Sequence, residues 1–157
     1  MLEFEPIRLN KKYKMTVPGT NKQVFPLLCP VREYDWLPYW NCDIIYSESG
    51  IAEQGCVFTT DLPGRGKMIW IVTKYDPPTQ IQYTIFKHDS HVWNLNVTIE
   101  TISEFKSNLV WCHEFTALTK SGNEYLTSYT EEAHQSHLKR IEDSLIHYLG
   151  TGNMLKE

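Results

Sequence analysis

Between Trp40 and Lys120, six runs of residues alternate apolar and polar side chains: WNCDIIYS, QGCVFTTD, KMIWIVTKY, TQIQYTIFK, HVWNLNVTIETI and NLVWCHEFTAL. Alternation with a period of two marks a strand that has one face in a core and the other in water. The segments that separate the runs (ESGIAE, LPGRG, DPP, HDS and SEFKS) are rich in turn formers. They are too short for the crossover that a parallel neighbour requires. The runs therefore predict an antiparallel meander. Its cleanest member places Trp93, Leu95, Val97 and Ile99 on one face, with Asn94, Asn96, Thr98 and Glu100 on the other.

Ahead of the meander, Ile7 to Val17 predicts a polar edge strand, which PGTN breaks. TNKQVFPLL then predicts a short helix capped by Thr20 or Asn21, with Pro26 in its opening turns and Pro30 closing it. VREYDWL predicts a second short helix, stopped by Pro38. After the meander one long helix is expected from about Glu124 to Leu149, with Gly150 as its stop. Leu138, Ile141, Leu145, Tyr148 and Leu149 form an apolar stripe along its second half. The first half continues that stripe only through Leu126, Tyr129, Ala133 and His137.

This contrast predicts a cavity. A helix about 10–12 Å across is too narrow to fill a deeply curved sheet, and this one thins at Ala133 and His137. The aromatic stretch CPVREYDWLPYW is expected to close the remaining end, with Trp36 and Trp40 plugging the corner where the short helices meet the sheet. Aromatic residues make up 13% of the chain, and at about 150–250 Å² buried per ring they should dominate the interior.

The 157 residues fit a single domain spanning 1–157. A net charge of −4, with no basic run longer than Lys11-Lys12, argues against a nucleic-acid partner. The first residues, MLEFEPIRLNKKYK, lack the charge pattern of a signal peptide, and no apolar stretch is long enough to span a membrane. Cytoplasmic residence, no integral membrane association, and a monomer or homodimer are the expectations. Cys29, Cys42, Cys56 and Cys112 form no CxxC pair and are expected as reduced thiols.

Several residues are candidates for a site. In WCHEF, Trp111, His113 and Phe115 share the inner face, which aims His113 at the cavity as a ligand contact or an acid/base group. Tyr83 and Tyr129 are candidate inward phenols, and Trp70 and Trp93 candidate walls. EEAHQSH spaces Glu131, His134 and His137 by three, yet a carboxylate-bridged metal site needs a second such copy. No metal and no cofactor is expected. His134 reads as a partly solvated flank, and His137 as a polar wall. DLPGRGK fails as a phosphate loop, because Asp61 and Met68 stand where glycine and Ser or Thr are required. It predicts a hairpin with Arg65 at the cavity mouth. Arg32, Glu33 and Asp35 are expected to form local ion pairs or caps.

The order of elements resembles the helix-grip fold of the START-related, or SRPBCC, superfamily, which includes polyketide cyclase/dehydrase-like and lipid-transport-like proteins. The residues that carry the likeness are VFPLLCPVREYDWLPYW (Val24–Trp40), SGIAEQGCVF (Ser49–Phe58), WIVTKYDPPTQIQY (Trp70–Tyr83) and YLGTG (Tyr148–Gly152). They look like a bacterial branch, and the likeness covers the chain from Thr20 onward. It implies an α+β fold: a seven-stranded curved antiparallel sheet around a long C-terminal helix, with two short helices after strand 1. It also implies a hydrophobic-ligand pocket between sheet and helix, but no catalytic motif.

The first functional expectation is a container for a small hydrophobic molecule, aromatic or lipid-like, held by Trp70, Tyr83, Trp93, Trp111, His113, Phe115, Tyr129, Ala133 and His137. A cyclase- or dehydratase-like enzyme using His113 and His137 with Tyr83 or Tyr129 is the alternative. A protein-interaction module is the third, weakened by the lack of a solvent-facing hydrophobic stripe in the sequence.

Overall fold

The computed structural model describes residues 2–156. Strands β1 (Arg8–Pro18), β2 (Cys42–Tyr46), β3 (Val57–Leu62), β4 (Gly66–Asp76), β5 (Gln80–Lys87), β6 (His91–Ser103) and β7 (Lys106–Ala117) form one antiparallel sheet. Its spatial order is β1-β7-β6-β5-β4-β3-β2, so β1 and β2 are the edges. Register shifts at Ile44/Tyr46, Val72/Lys74 and Thr101/Ser103 insert the extra residues that bend and twist a sheet. The result is the seven-stranded, helix-gripping architecture that the order of elements predicts.

Two short helices follow β1: α1 (Asn21–Val24), running directly into a 3₁₀ turn at Phe25–Leu28, and α2 (Pro30–Glu33). The Thr20 backbone N–H donates to Gln23 Oε1 at 2.8 Å, which fixes the start of α1. Pro30 does not close a helix as the sequence suggests. It opens α2, where its missing N–H costs nothing.

The long C-terminal helix is two helices, α3 (Lys120–Ser128) and α4 (Glu131–Thr151). Tyr129 leaves the helical region with φ −82° and ψ 79°, and Thr130 caps α4 by accepting from the Ala133 N–H at 3.1 Å. The acidic pair Glu131 and Glu132 then occupies the first turn, where a helix N-terminus favours negative charge. The new start resets the helical phase, and the buried face becomes His134, Leu138, Ile141 and Leu145. Gly150 is helical, and the stop falls at Gly152, whose φ of +72° suits the left-handed cap.

Each helix is fastened separately. At the start of α3, Gly122 lies so close to the β5–β6 turn that a Cβ there would sit 1.9 Å from the Ser90 carbonyl oxygen. Along α4, Glu131 pairs with Lys11 and Glu142 accepts from the Tyr13 hydroxyl, which fastens that helix to β1. The outer face of the sheet exposes Ile45, Tyr46, Ile69 and Ile71. The sequence reading missed this group because the four lie on two separate strands.

Candidate functional site

The inner face of the sheet is a continuous series of rings. Phe58 and Trp70 stack at 5.2 Å, and Trp40 and Tyr83 meet Trp70 edge-on at 5.9 and 5.5 Å. Trp93 lies 5.6 Å from Trp70 and stacks on His113 and Phe115 at 5.6 and 5.3 Å. Burial of so many rings against a single helix leaves space above the middle of the sheet. The free volume there is about 70 Å³.

Six of the residues singled out from sequence meet at this space: Trp70, Tyr83, Trp93, Trp111 and His113 from the sheet, and His137 from α4. Three others do not line it. Phe115 is buried farther along β7, under the rings of His91 and Tyr129. Tyr129 sits at the break between α3 and α4, with its hydroxyl 2.9 Å from His134 Nδ1. Ala133 is exposed, because the buried stripe of α4 runs back from Leu138 to His134, four residues earlier, and leaves Ala133 beside it. The solvated flank expected of His134 is therefore corrected: its side chain is 0% exposed, 4.7 Å from the His113 ring.

The β7 end of the cavity is basic in composition but uncharged at its imidazoles. Trp93 Nε1 donates to His113 Nδ1 at 3.1 Å. An indole can only donate, so neutral His113 carries its proton on Nε2. That nitrogen, Trp111 Nε1 and His134 Nε2 are buried without hydrogen-bond partners. Burial, with further lowering by the neighbouring histidines and Arg65, takes His113 down to about 3. His137 falls to about 3 for the same first reason, reinforced by Arg65. Arg65 reaches in from the β3–β4 turn and lies 5.9 Å from the Trp93 ring centroid.

The opposite end is built by the corner that the sequence marked. Trp36 Nε1 donates to the Leu27 carbonyl and Trp40 Nε1 to the Pro30 carbonyl, each at 2.8 Å. Tyr83 donates its hydroxyl to the Leu28 carbonyl at 2.8 Å. These bonds pin three aromatic side chains of the corner to the short-helix segment. Glu33 faces the same cavity, and the ion pair expected of it does not form. Arg32 takes Asp35 instead, at 2.7 Å. No described residue gives the Glu33 carboxyl a hydrogen bond or a salt bridge, and burial alone raises its pKa well above the usual carboxylate range.

Glu33 is the residue that sequence reasoning missed. The signal was present, since Glu33 stands three and four residues before Trp36 and Leu37, the spacing of one helical face. Among the described residues no group of three His, Cys, Asp or Glu side chains is placed to hold a metal ion. Glu131, spaced by three from His134 in the sequence, points to Lys11 and Gln135. All four cysteines are free thiols. No described helix is long and apolar enough to cross a membrane.

No protein-family model matches the sequence, and no curated protein matches it either. Solved structures do match. Norcoclaurine synthase from Thalictrum flavum, in complex with dopamine and hydroxybenzaldehyde, is similar at a TM-score of 0.67 and 10% identity, over 92% of this chain and 87% of that one. Ara h 8.0201 is similar at a TM-score of 0.63 and 16% identity, over 90% of this chain and 97% of that one. A protein of the dynemicin biosynthetic locus gives 0.65 and 15%, over 92% of this chain and 48% of that one. At such identities the likeness shows the fold alone, the helix grip.

Proposed function

We propose that this helix-grip chain is a container for a small, largely apolar ligand held between the curved sheet and α4. The observation that carries the reading is the cavity itself: a wall of tryptophan, tyrosine and aliphatic side chains with only a few polar groups converging on it, the usual composition of a small-molecule site. The protein has placed its most costly hydrophobic surface around unfilled space. An interior built only for stability would close such a space, since interiors pack to crystal-like density.

The free volume of about 70 Å³ is smaller than the ~150 Å³ that accommodates benzene. The ligand therefore enters by displacing part of the cover. α4 and the short-helix corner are the elements that would have to yield, since side-chain bonds hold them whereas the wall beneath them is a backbone-hydrogen-bonded sheet.

A cyclase- or dehydratase-like reaction through His113 and His137 has less support. Groups that exchange protons near neutrality should have pKa values near 7, and both imidazoles stay neutral down to about pH 3. Tyr83 is raised well above 10, chiefly by burial, and its proton is committed to Leu28.

The test is native mass spectrometry of protein purified from its own cells, followed by denaturing extraction and titration with the neutral dye N-phenyl-1-naphthylamine. The expected result is a bound mass released on denaturation, or dye binding with a blue-shifted emission. A ligand-free mass together with no dye binding would end the container reading.

A further inference from the structure

Resting on the container reading, we propose that Glu33 makes the corner end of the cavity a recognition point for a basic nitrogen, so that the cargo is an amine with an apolar or aromatic body.

The placement of Glu33 carries the argument. A carboxyl facing an apolar cavity is costly to keep unless something pairs with it. Around it the indoles of Trp36 and Trp40 and the Tyr83 hydroxyl each have a carbonyl partner in the short-helix segment. Glu33 has none, and the neighbouring cation Arg32 is turned away to Asp35. Arg65 acts on His113, His134 and His137 at the other end, and burial alone acts on Glu33. The half-buried side chain thus lines the cavity as a carboxyl with no partner among the described residues, beside a set of π faces.

A protonated nitrogen answers both features. It gives the carboxylate a charge-assisted hydrogen bond, and it meets the negative faces of the lining rings, which attract a desolvated cation. A carboxylic acid ligand would be repelled by the ionised form. A neutral hydroxyl would leave the ring faces unused. Proton balance follows directly: an ammonium ligand entering against the neutral carboxyl releases the Glu33 proton to solvent, whereas a free amine takes that proton and none is released.

The test compares three probes of one shape, 2-(1-naphthyl)ethylamine, 1-ethylnaphthalene and 1-naphthylacetic acid, by displacement of N-phenyl-1-naphthylamine and by calorimetry in two buffers of different ionisation enthalpy. The wild type should prefer the amine over the hydrocarbon by about tenfold or more, bind the acid least, and release protons on amine binding at those pH values where the free Glu33 carboxyl is protonated, a range that burial extends upward from the ordinary carboxylate value. Glu33→Gln, checked for folding by its thermal transition, should lose the amine preference while keeping its affinity for 1-ethylnaphthalene. Hydrocarbon binding without an amine preference, or a preference that survives in Glu33→Gln, overturns the proposal and leaves the container standing. Failure of all three probes and of the dye overturns the amine preference, and together with a ligand-free native mass it overturns the container as well.

Discussion

The indole of Trp93 donates its only hydrogen to Nδ1 of His113, so one side chain sets the tautomer of the other. His113 should therefore show the Nε2–H form by two-bond ¹H–¹⁵N correlation at pH 7, with no titration between pH 5 and 8. Trp93→Phe keeps a ring in place and removes the donor, leaving a buried acceptor unanswered. It should lower stability by about 1–3 kcal/mol in urea unfolding and free the tautomer. An Nδ1–H signal in the wild type would contradict the assignment.

Neutral, buried histidines make the protein sensitive to acid. His91 is lowered to about 4, chiefly by burial, and His113 and His137 to about 3. Between those values and the ordinary 6.5, the unfolded chain binds protons that the folded chain refuses, so stability falls as pH drops through this window. The slope reaches about 1.4 kcal/mol per pH unit for each histidine. Glu33, raised in the fold, acts with opposite sign, its contribution fading as pH rises above the ordinary carboxylate value. Urea midpoints at pH 7, 6 and 5 should decline steadily, and a flat series would show that these imidazoles are not held neutral.

α4 begins at the Thr130 cap and turns His134, not Ala133, to the interior. Thr130→Ala removes the cap on Ala133 N–H and should cost about 1 kcal/mol. Ala133→Glu lies on the exposed side and should change stability by no more than about 0.5 kcal/mol. Had α3 and α4 been one helix with Ala133 inward, the same change would bury a charge. Paired denaturation curves separate the two geometries.

Gly122 tests the anchorage of α3. Alanine there would push its Cβ into the Ser90 carbonyl, a backbone atom that cannot swing aside. Gly122→Ala is expected to lose more than about 2 kcal/mol. Ser121→Ala, at an exposed neighbouring site, should stay within about 0.5 kcal/mol. Equal stability in the two variants would mean that α3 does not dock as closely as described.

The sheet was legible because its signals are local: alternation such as Trp93 to Ile99 states the face, and short turn-rich links state the pairing. The cavity was legible through the narrowness of one helix against a broad aromatic wall, and six of the nine residues proposed for it meet there. Tyr129 falls at the break between α3 and α4, which one continuous helical period does not foresee, and whose cap is one hydroxyl followed by two acids. Ala133 follows the period set by Leu126 and Tyr129 across that break, whereas the stripe of α4 itself runs back from Leu138 to His134. Phe115 was right about its face and wrong about its position along the strand, which alternation does not encode. Glu33 was passed over because charges beside each other suggest pairing, although the spacing to Trp36 and Leu37 already set it on the apolar side.

The free volume of about 70 Å³ has a kinetic consequence. If the chain is the container proposed, an interior smaller than its ligand would admit nothing until the cover fluctuated outward, and apparent affinity would be the intrinsic affinity scaled by the fraction of time the molecule stood open. Association should then stop accelerating as ligand concentration rises, levelling at the opening rate. Substitutions that loosen α4 on β1, far from any ligand atom, would raise that plateau and leave the preference among cargoes unchanged.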